Sequence, residues 1–109
     1  MMRAMKTKAT ALNLAGLVEV QPGAVVSKTI IDKKVGTVTI FGFDENQGLS
    51  EHTAPYDAMV QVLDGEVEIT VAGQPNRVKQ GEFIILPANK PHALKGVTAF
   101  KMLLIMIRA

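Results

Sequence analysis

A chain of 109 residues has the length of one ordinary domain and leaves no room for a second. Its composition, 48% hydrophobic against 20% charged with 9 Gly and 5 Pro, supports a packed core and argues against a disordered tail or a fibrous repeat. A net charge of only +2 argues against nucleic acid as a partner, and the absence of cysteine excludes disulfides, thiolate chemistry and Cys-bound metals, so any metal must use His, Asp, Glu or water.

The first residues, Met1 to Lys8, carry Arg3, Lys6 and Lys8, but the stretch from Ala9 to Val18 is broken by Thr10, Asn13 and Gly16. It never builds the continuous apolar region of a signal peptide. No run approaches the ~20 apolar residues that span a bilayer, so the reading is a cytoplasmic protein without a membrane partner. Residues 1–24 are expected to be a loose N-terminal arm with a first short strand, and residues 25–109 an all-β domain. Within that domain short β-branched and aromatic runs alternate with Gly, Pro and Asp punctuation. The expected strands are Val25–Ile31, Val35–Phe43, Ala58–Leu63, Glu66–Val71, a weaker Asn76–Lys79, Glu82–Leu86 and Ala99–Ile107. Asp64-Gly65 and Ala72-Gly73 read as tight turns. The first, lying between Val60–Leu63 and Glu66–Ile69, is a hairpin signal and predicts a meander. Phe83–Leu86 and Leu103–Ile107 are apolar on both faces, so something must cover their outer side. A second copy of the chain is expected there, giving a homodimer; the alternative is the N-terminal arm folded over its own sheet.

The chain has two histidines, His52 and His92. Both stand beside turn residues at strand edges rather than inside apolar runs. His52 opens His52-Thr53-Ala54-Pro55-Tyr56-Asp57-Ala58, which runs on to Leu63-Asp64-Gly65-Glu66, and His92 closes Gly81-Glu82-Phe83-Ile84-Ile85-Leu86-Pro87-Ala88-Asn89-Lys90-Pro91-His92. The strand that ends in Val62-Leu63-Asp64-Gly65-Glu66 resembles the end of the first motif of the cupin family. Gly81, Pro87 and His92 resemble the second motif, and the resemblance covers roughly Asp44 to Ile107. It implies a small antiparallel jelly-roll β-barrel with its site in the open mouth, which agrees with the many short strands.

In the family the two motifs supply three histidines and a glutamate to a divalent metal, commonly iron, manganese, nickel, zinc or copper. Such donors suit these ions and leave positions open for substrate. By the resemblance, His52 falls on the first histidine and His92 on the last. The second histidine position is Ala54 and the glutamate position is Ala58; Asn89 and Gly96 also depart from the family pattern. A degenerate two-His metal site is therefore the implied cofactor, with Asp57 as a third donor and Tyr56 reaching the same mouth. Asp57 reads equally as turn chemistry after Pro55, and each histidine as a ring bound to backbone. A metal-free pair of imidazoles meeting a small polar or anionic ligand is a further alternative.

Three functions stay open. One is a binding barrel holding a small-molecule ligand through His52, Tyr56 and His92. Another is a metal-dependent enzyme of dioxygenase, isomerase or lyase type with an incomplete ligand set, and the third is a regulatory or structural dimer. Glu66 and Glu68 read as a solvated strand face, and the six methionines as gap-filling in a core or dimer seam.

Overall fold

The computed structural model describes residues 8–108; the basic residues Arg3 and Lys6 of the expected arm lie outside them. Nine strands form among the described residues: β1 (Val25–Lys33), β2 (Gly36–Phe43), β3 (Gly48–His52), β4 (Asp57–Asp64), β5 (Glu66–Val71), β6 (Gln74–Lys79), β7 (Phe83–Leu86), β8 (His92–Gly96) and β9 (Phe100–Ile107). They build two sheets, a five-stranded one in the order β1-β2-β9-β4-β7 and a four-stranded one in the order β3-β8-β5-β6. Every pairing is antiparallel. The expected jelly-roll barrel is the fold.

Alternation along the strands decides what is buried. In β4, Ala58, Val60 and Val62 point inward while Asp57, Met59 and Gln61 point out, as a period of two requires. The inward rows of the two sheets meet face to face in one core that includes Val67, Ile69 and Leu94 from the opposite side. At the closed end Phe43 and Phe100, directly paired across β2 and β9, stack with ring centroids 4.4 Å apart and planes 3° apart.

The Asp64-Gly65 turn is not a hairpin. β4 pairs with β7 and β9, whereas β5 pairs with β6 and β8, so the chain crosses from one sheet to the other at Gly65. This residue has φ +78°, and a Cβ there would meet the Ala99 carbonyl oxygen and the backbone of Phe100. Two strands that each carry one apolar face bury more surface packed across the barrel than paired edge to edge, and glycine permits the sharp corner. The tight hairpin of this region is instead Ala72-Gly73, with both residues at positive φ and Val71 paired to Gln74, the pattern that suits strand twist.

The outer face of the larger sheet is covered in part by the chain itself. No strand precedes Val25 among the described residues; in place of the expected short strand there is one turn of 3-10 helix, Ala15–Leu17. The arm is pinned from there on. Lys101 Nζ donates to the Ala15 carbonyl at 2.7 Å, Val18 is buried, and Val18 and Val20 crowd the bare backbone of Gly42. Ile40, on the same outward face as Gly42, is fully buried. The other half of that face is open: Phe83, Ile85 and Ile107 are 60%, 48% and 53% exposed.

Candidate functional site

His52 is the last residue of β3 and His92 the first of β8, and the two are direct partners in the β3/β8 register. Direct partners on an antiparallel pair project to the same face, so residues 40 apart in sequence place their rings together. The ring centroids are 4.3 Å apart with planes at 71°, and the two Nε2 atoms are 3.1 Å apart. Each ring is fixed from behind in the same way. His52 Nδ1 lies 2.7 Å from the Ser50 carbonyl oxygen, and His92 Nδ1 lies 3.2 Å from the Lys90 carbonyl oxygen. A carbonyl can only accept, so Nδ1 donates wherever either of these two bonds is made, while the 3.1 Å Nε2–Nε2 hydrogen bond needs a proton on one of the two facing nitrogens; tautomer and charge decide how the pair divides these roles. Burial pushes the His92 imidazole below its ordinary pKa of 6.5, the charge of a protonated His52 would push the same way, and the Lys90 carbonyl pulls against both.

Beneath the pair lies a cavity of about 100 Å³. Its walls come from three inward rows: Leu86, Ala58 and Met106 across β7, β4 and β9; Val60 and Leu104 below them; and Leu49 with Leu94 on the opposite sheet. Ala54 and Met102 complete it, and the two imidazoles are its polar groups. Ala54 and Ala58, which stand at the positions where the resemblance expects ligands, thus face the same space as the histidines. Their short side chains leave room in which a second imidazole and a carboxylate would otherwise stand.

Two of the expected site residues are not brought to the pair. Asp57 is turned to the outer side of β4, opposite to its neighbour Ala58, and borders the groove of Met59, Ile85, Ile105 and Ile107. Its Oδ1 accepts from the Ala88 N–H at 2.8 Å. Together with the Asn89 N–H donated to the Ala54 carbonyl at 2.7 Å, this clips the loop after β7 to the loop before β4. Asp57 is thus a long-range clip rather than the local turn cap expected after Pro55, and strand alternation turns it away from the histidines, against its expected place as a third donor. Tyr56 is half-buried and does not line the cavity. Among the described residues no three His, Asp, Glu or Cys side chains converge to hold an ion, so the residues present do not fit the family's four-ligand divalent centre. Glu66 and Glu68 are engaged by Arg77, at 2.9 and 3.5 Å, on the barrel surface.

Sequence reasoning did not find Met102, Leu104 and Met106 as cavity walls. The signal was the alternation of β9, whose even-numbered residues all face inward, hidden in a run that is apolar throughout.

With this geometry in place the comparisons with known proteins are unambiguous at the level of family. The model of the cupin domain matches residues 39–108, and the chain belongs to the cupin family. It is similar to a conserved protein of unknown function from Streptococcus pyogenes, with 35% identity, 98% of each chain covered and a TM-score of 0.90. A cupin 2 conserved barrel domain protein from Leptotrichia buccalis is 47% identical over 88% of this chain, with a TM-score of 0.85. The aligned region spans only 47% of that protein's length. A cupin superfamily protein from Desulfitobacterium hafniense aligns over 94% of both chains at 28% identity and a TM-score of 0.89. No curated protein matches the sequence.

Proposed function

We propose that this cupin is a binding barrel that takes a small organic molecule into its mouth, the apolar body in the cavity and a polar head against His52 and His92. The observation that carries this reading is the composition of the site: an apolar chamber whose polar groups are two imidazoles in contact with each other at the rim. Sites with an apolar wall and a few convergent polar atoms are the usual form of small-molecule pockets. The volume sets the scale of the ligand. A cavity of roughly 150 Å³ holds benzene, so about 100 Å³ takes a short or branched alkyl group or part of a ring. Imidazole nitrogens accept or donate according to tautomer, so the rim suits a polar head that can do either, such as a hydroxyl, a carboxylic acid or an amide. The alanines at positions 54 and 58 weigh against the metal-dependent enzyme reading.

The test is a thermal-shift screen of short-chain alcohols, phenols and monocarboxylic acids on the wild type, on Ala58→Leu, which fills the chamber, and on His92→Gln. A ligand at about 100 times its Kd raises stability by roughly 2.7 kcal/mol, a shift of several degrees in a domain of this size. The gain should vanish in Ala58→Leu and shrink in His92→Gln. A screen in which no compound stabilises the wild type more than Ala58→Leu would remove the reading.

Self-association belongs to the same proposal. The arm covers only the β2 side of the outer sheet face, and Phe83, Ile85 and Ile107 stay exposed beside half-buried Met59 and Ile105 across three strands. An isologous contact of two such faces would bury it. Light scattering should give twice the monomer mass for the wild type and the monomer mass for Phe83→Asp; a monomeric wild type at micromolar concentration would count against it.

A further inference from the structure

We infer that the mouth continues onto a hydroxylated shelf on β1 and β2, and that the ligand is an amphiphile: a short alkyl or aryl group in the chamber, joined to a vicinal diol or longer polyol lying across the shelf. This rests on the binding reading above and adds the chemistry of the ligand's outer part. Two cross-strand rows carry it. In one, Ala58 of β4 pairs with Met106 of β9, Met106 with Thr37 of β2, and Thr37 with Asp32 of β1. In the other, Val60 pairs with Leu104, Leu104 with Thr39, and Thr39 with Thr29. Direct partners share a face. Since Ala58, Val60, Leu104 and Met106 line the cavity, the three threonines and Asp32 stand on the same inward face. Strand spacing of about 4.8 Å puts Thr37 and Thr39 one strand from the cavity wall, with Asp32 and Thr29 roughly 10 Å from it. The Oγ1 atoms of Thr29 and Thr39 are 3.5 Å apart.

The polarity of β2 is inverted at this end. Alternation sends Val38 and Ile40 to the outer face, where Ile40 is fully buried, and turns Thr37 and Thr39 inward, whereas the same inward row toward the closed end is Phe41 and Phe43. The change falls where the smaller sheet stops. Its edge strand is β3, whose Leu49 and His52 still wall the cavity; on the shelf Thr29 and Asp32 are exposed and Thr37 and Thr39 half-buried. Threonine suits any strand, but here its hydroxyls adjoin an apolar chamber that holds two imidazoles as its polar groups. The donors and acceptors then select the ligand. Hydroxyls donate and accept, and a carboxylate only accepts, so the complementary group must accept from threonine and donate to Asp32. Neighbouring hydroxyls of a polyol do both. An ammonium group offers no acceptor, and the charge of a carboxylate or phosphate is opposed by Asp32.

The experiment titrates three probes that share one alkyl group, n-butanol, n-butylamine and glycerol monobutyl ether, into the full ¹⁵N-labelled chain, and reads affinity and footprint from amide shifts. All three carry the butyl group that the chamber takes; the ether alone adds a vicinal diol. The expected result is that the ether binds roughly 10-fold or more tightly than butanol, the gain of one or two further hydrogen bonds. Its footprint should include the amides of Thr29, Asp32, Thr37 and Thr39, which butanol leaves in place. The pair Thr37→Val and Thr39→Val keeps side-chain shape and strand propensity. It should return the ether to the affinity of butanol while butanol itself binds as before, and Asp32→Asn, made separately, should weaken the ether alone. Ala58→Leu should abolish binding of all three. Butanol bound at the chamber with the ether no tighter, an ether whose advantage survives both threonine substitutions, or butylamine preferred to the ether would each overturn the shelf and leave the binding barrel standing. A wild type that binds none of the three would remove both.

Discussion

The two ends of the barrel are built from the same strands and filled in opposite ways. At the closed end Phe100 of β9 stacks on Phe43 of β2, and Val62 of β4 pairs with Met102, which reaches from this packed end to the cavity wall; all four are buried. Four residues further along β9, Leu104 and Met106 face Val60 and Ala58, and the small alanine side chains leave a cavity under two imidazoles. Inward alternation is the same at both ends; what differs is side-chain volume. One end stores stability as close packing, and the other gives up packing for a space in which a ligand fits. Substitutions that break this contrast at the closed end should cost folding, and those that break it at the mouth should cost binding.

Phe100→Ala should have the largest effect. The ring is about 1% exposed and stacked on Phe43, and removal of a buried aromatic ring costs about 3–5 kcal/mol. Urea unfolding should show a correspondingly lower midpoint; a loss below about 1 kcal/mol would mean that the closed end can collapse around the hole. Gly65→Ala comes next. A Cβ at φ +78° lies 2.9 Å from the Phe100 Cα and against the Ala99 carbonyl, and left-handed backbone alone costs about 1–3 kcal/mol for a non-glycine residue. The expected loss is roughly 2 kcal/mol or more, read by thermal unfolding. A neutral result would mean that the crossing between sheets can relax. Asp57→Ala tests the mouth's frame rather than its floor. It removes the 2.8 Å bond from the Ala88 N–H, and a net hydrogen bond is worth about 1 kcal/mol. Amide exchange at Ala88 and Asn89 should quicken more than exchange in β9; equal protection would detach Asp57 from the geometry of the site.

The same contrast explains what could be read from the sequence. β2, β4, β5, β7 and β9 were legible to within a residue or so at each end because their apolar runs are set by the core they fill. β3 and β8, which carry both site histidines, were not among the expected strands. Gly48-Leu49-Ser50-Glu51-His52 and His92-Ala93-Leu94-Lys95-Gly96 each offer a single large apolar residue to the interior, too little periodicity to stand out. The histidines themselves were found through motif spacing, and their partnership follows from the β3/β8 register, which no local pattern encodes. Asp64-Gly65 misled for a related reason. A sharp turn between two half-apolar strands looks alike whether the strands pair edge to edge or part into facing sheets, and only the long-range partners β7, β8 and β9 decide.

The smallest expected effect is also the one that most sharpens the comparison of the two ends, because it concerns whether the mouth is dry. Burial lowers the pKa of His92 beneath the ordinary 6.5, so the folded protein holds this ring neutral at pH values where the unfolded chain has already protonated it. The unfolded state then binds more protons, and stability rises with pH. The full contribution of a neutral His92 is present above pH 6.5 and is lost as pH falls through the window between 6.5 and the lower folded value. Urea midpoints measured from pH 8 down to pH 5 in chelator-treated buffer should therefore fall more steeply for the wild type than for His92→Gln, with no difference in slope above pH 7. The opposite slope, a wild type that gains on His92→Gln as pH falls, would mean that an added proton strengthens the bond between the two rings, so that their contact and not burial sets the charge of the mouth.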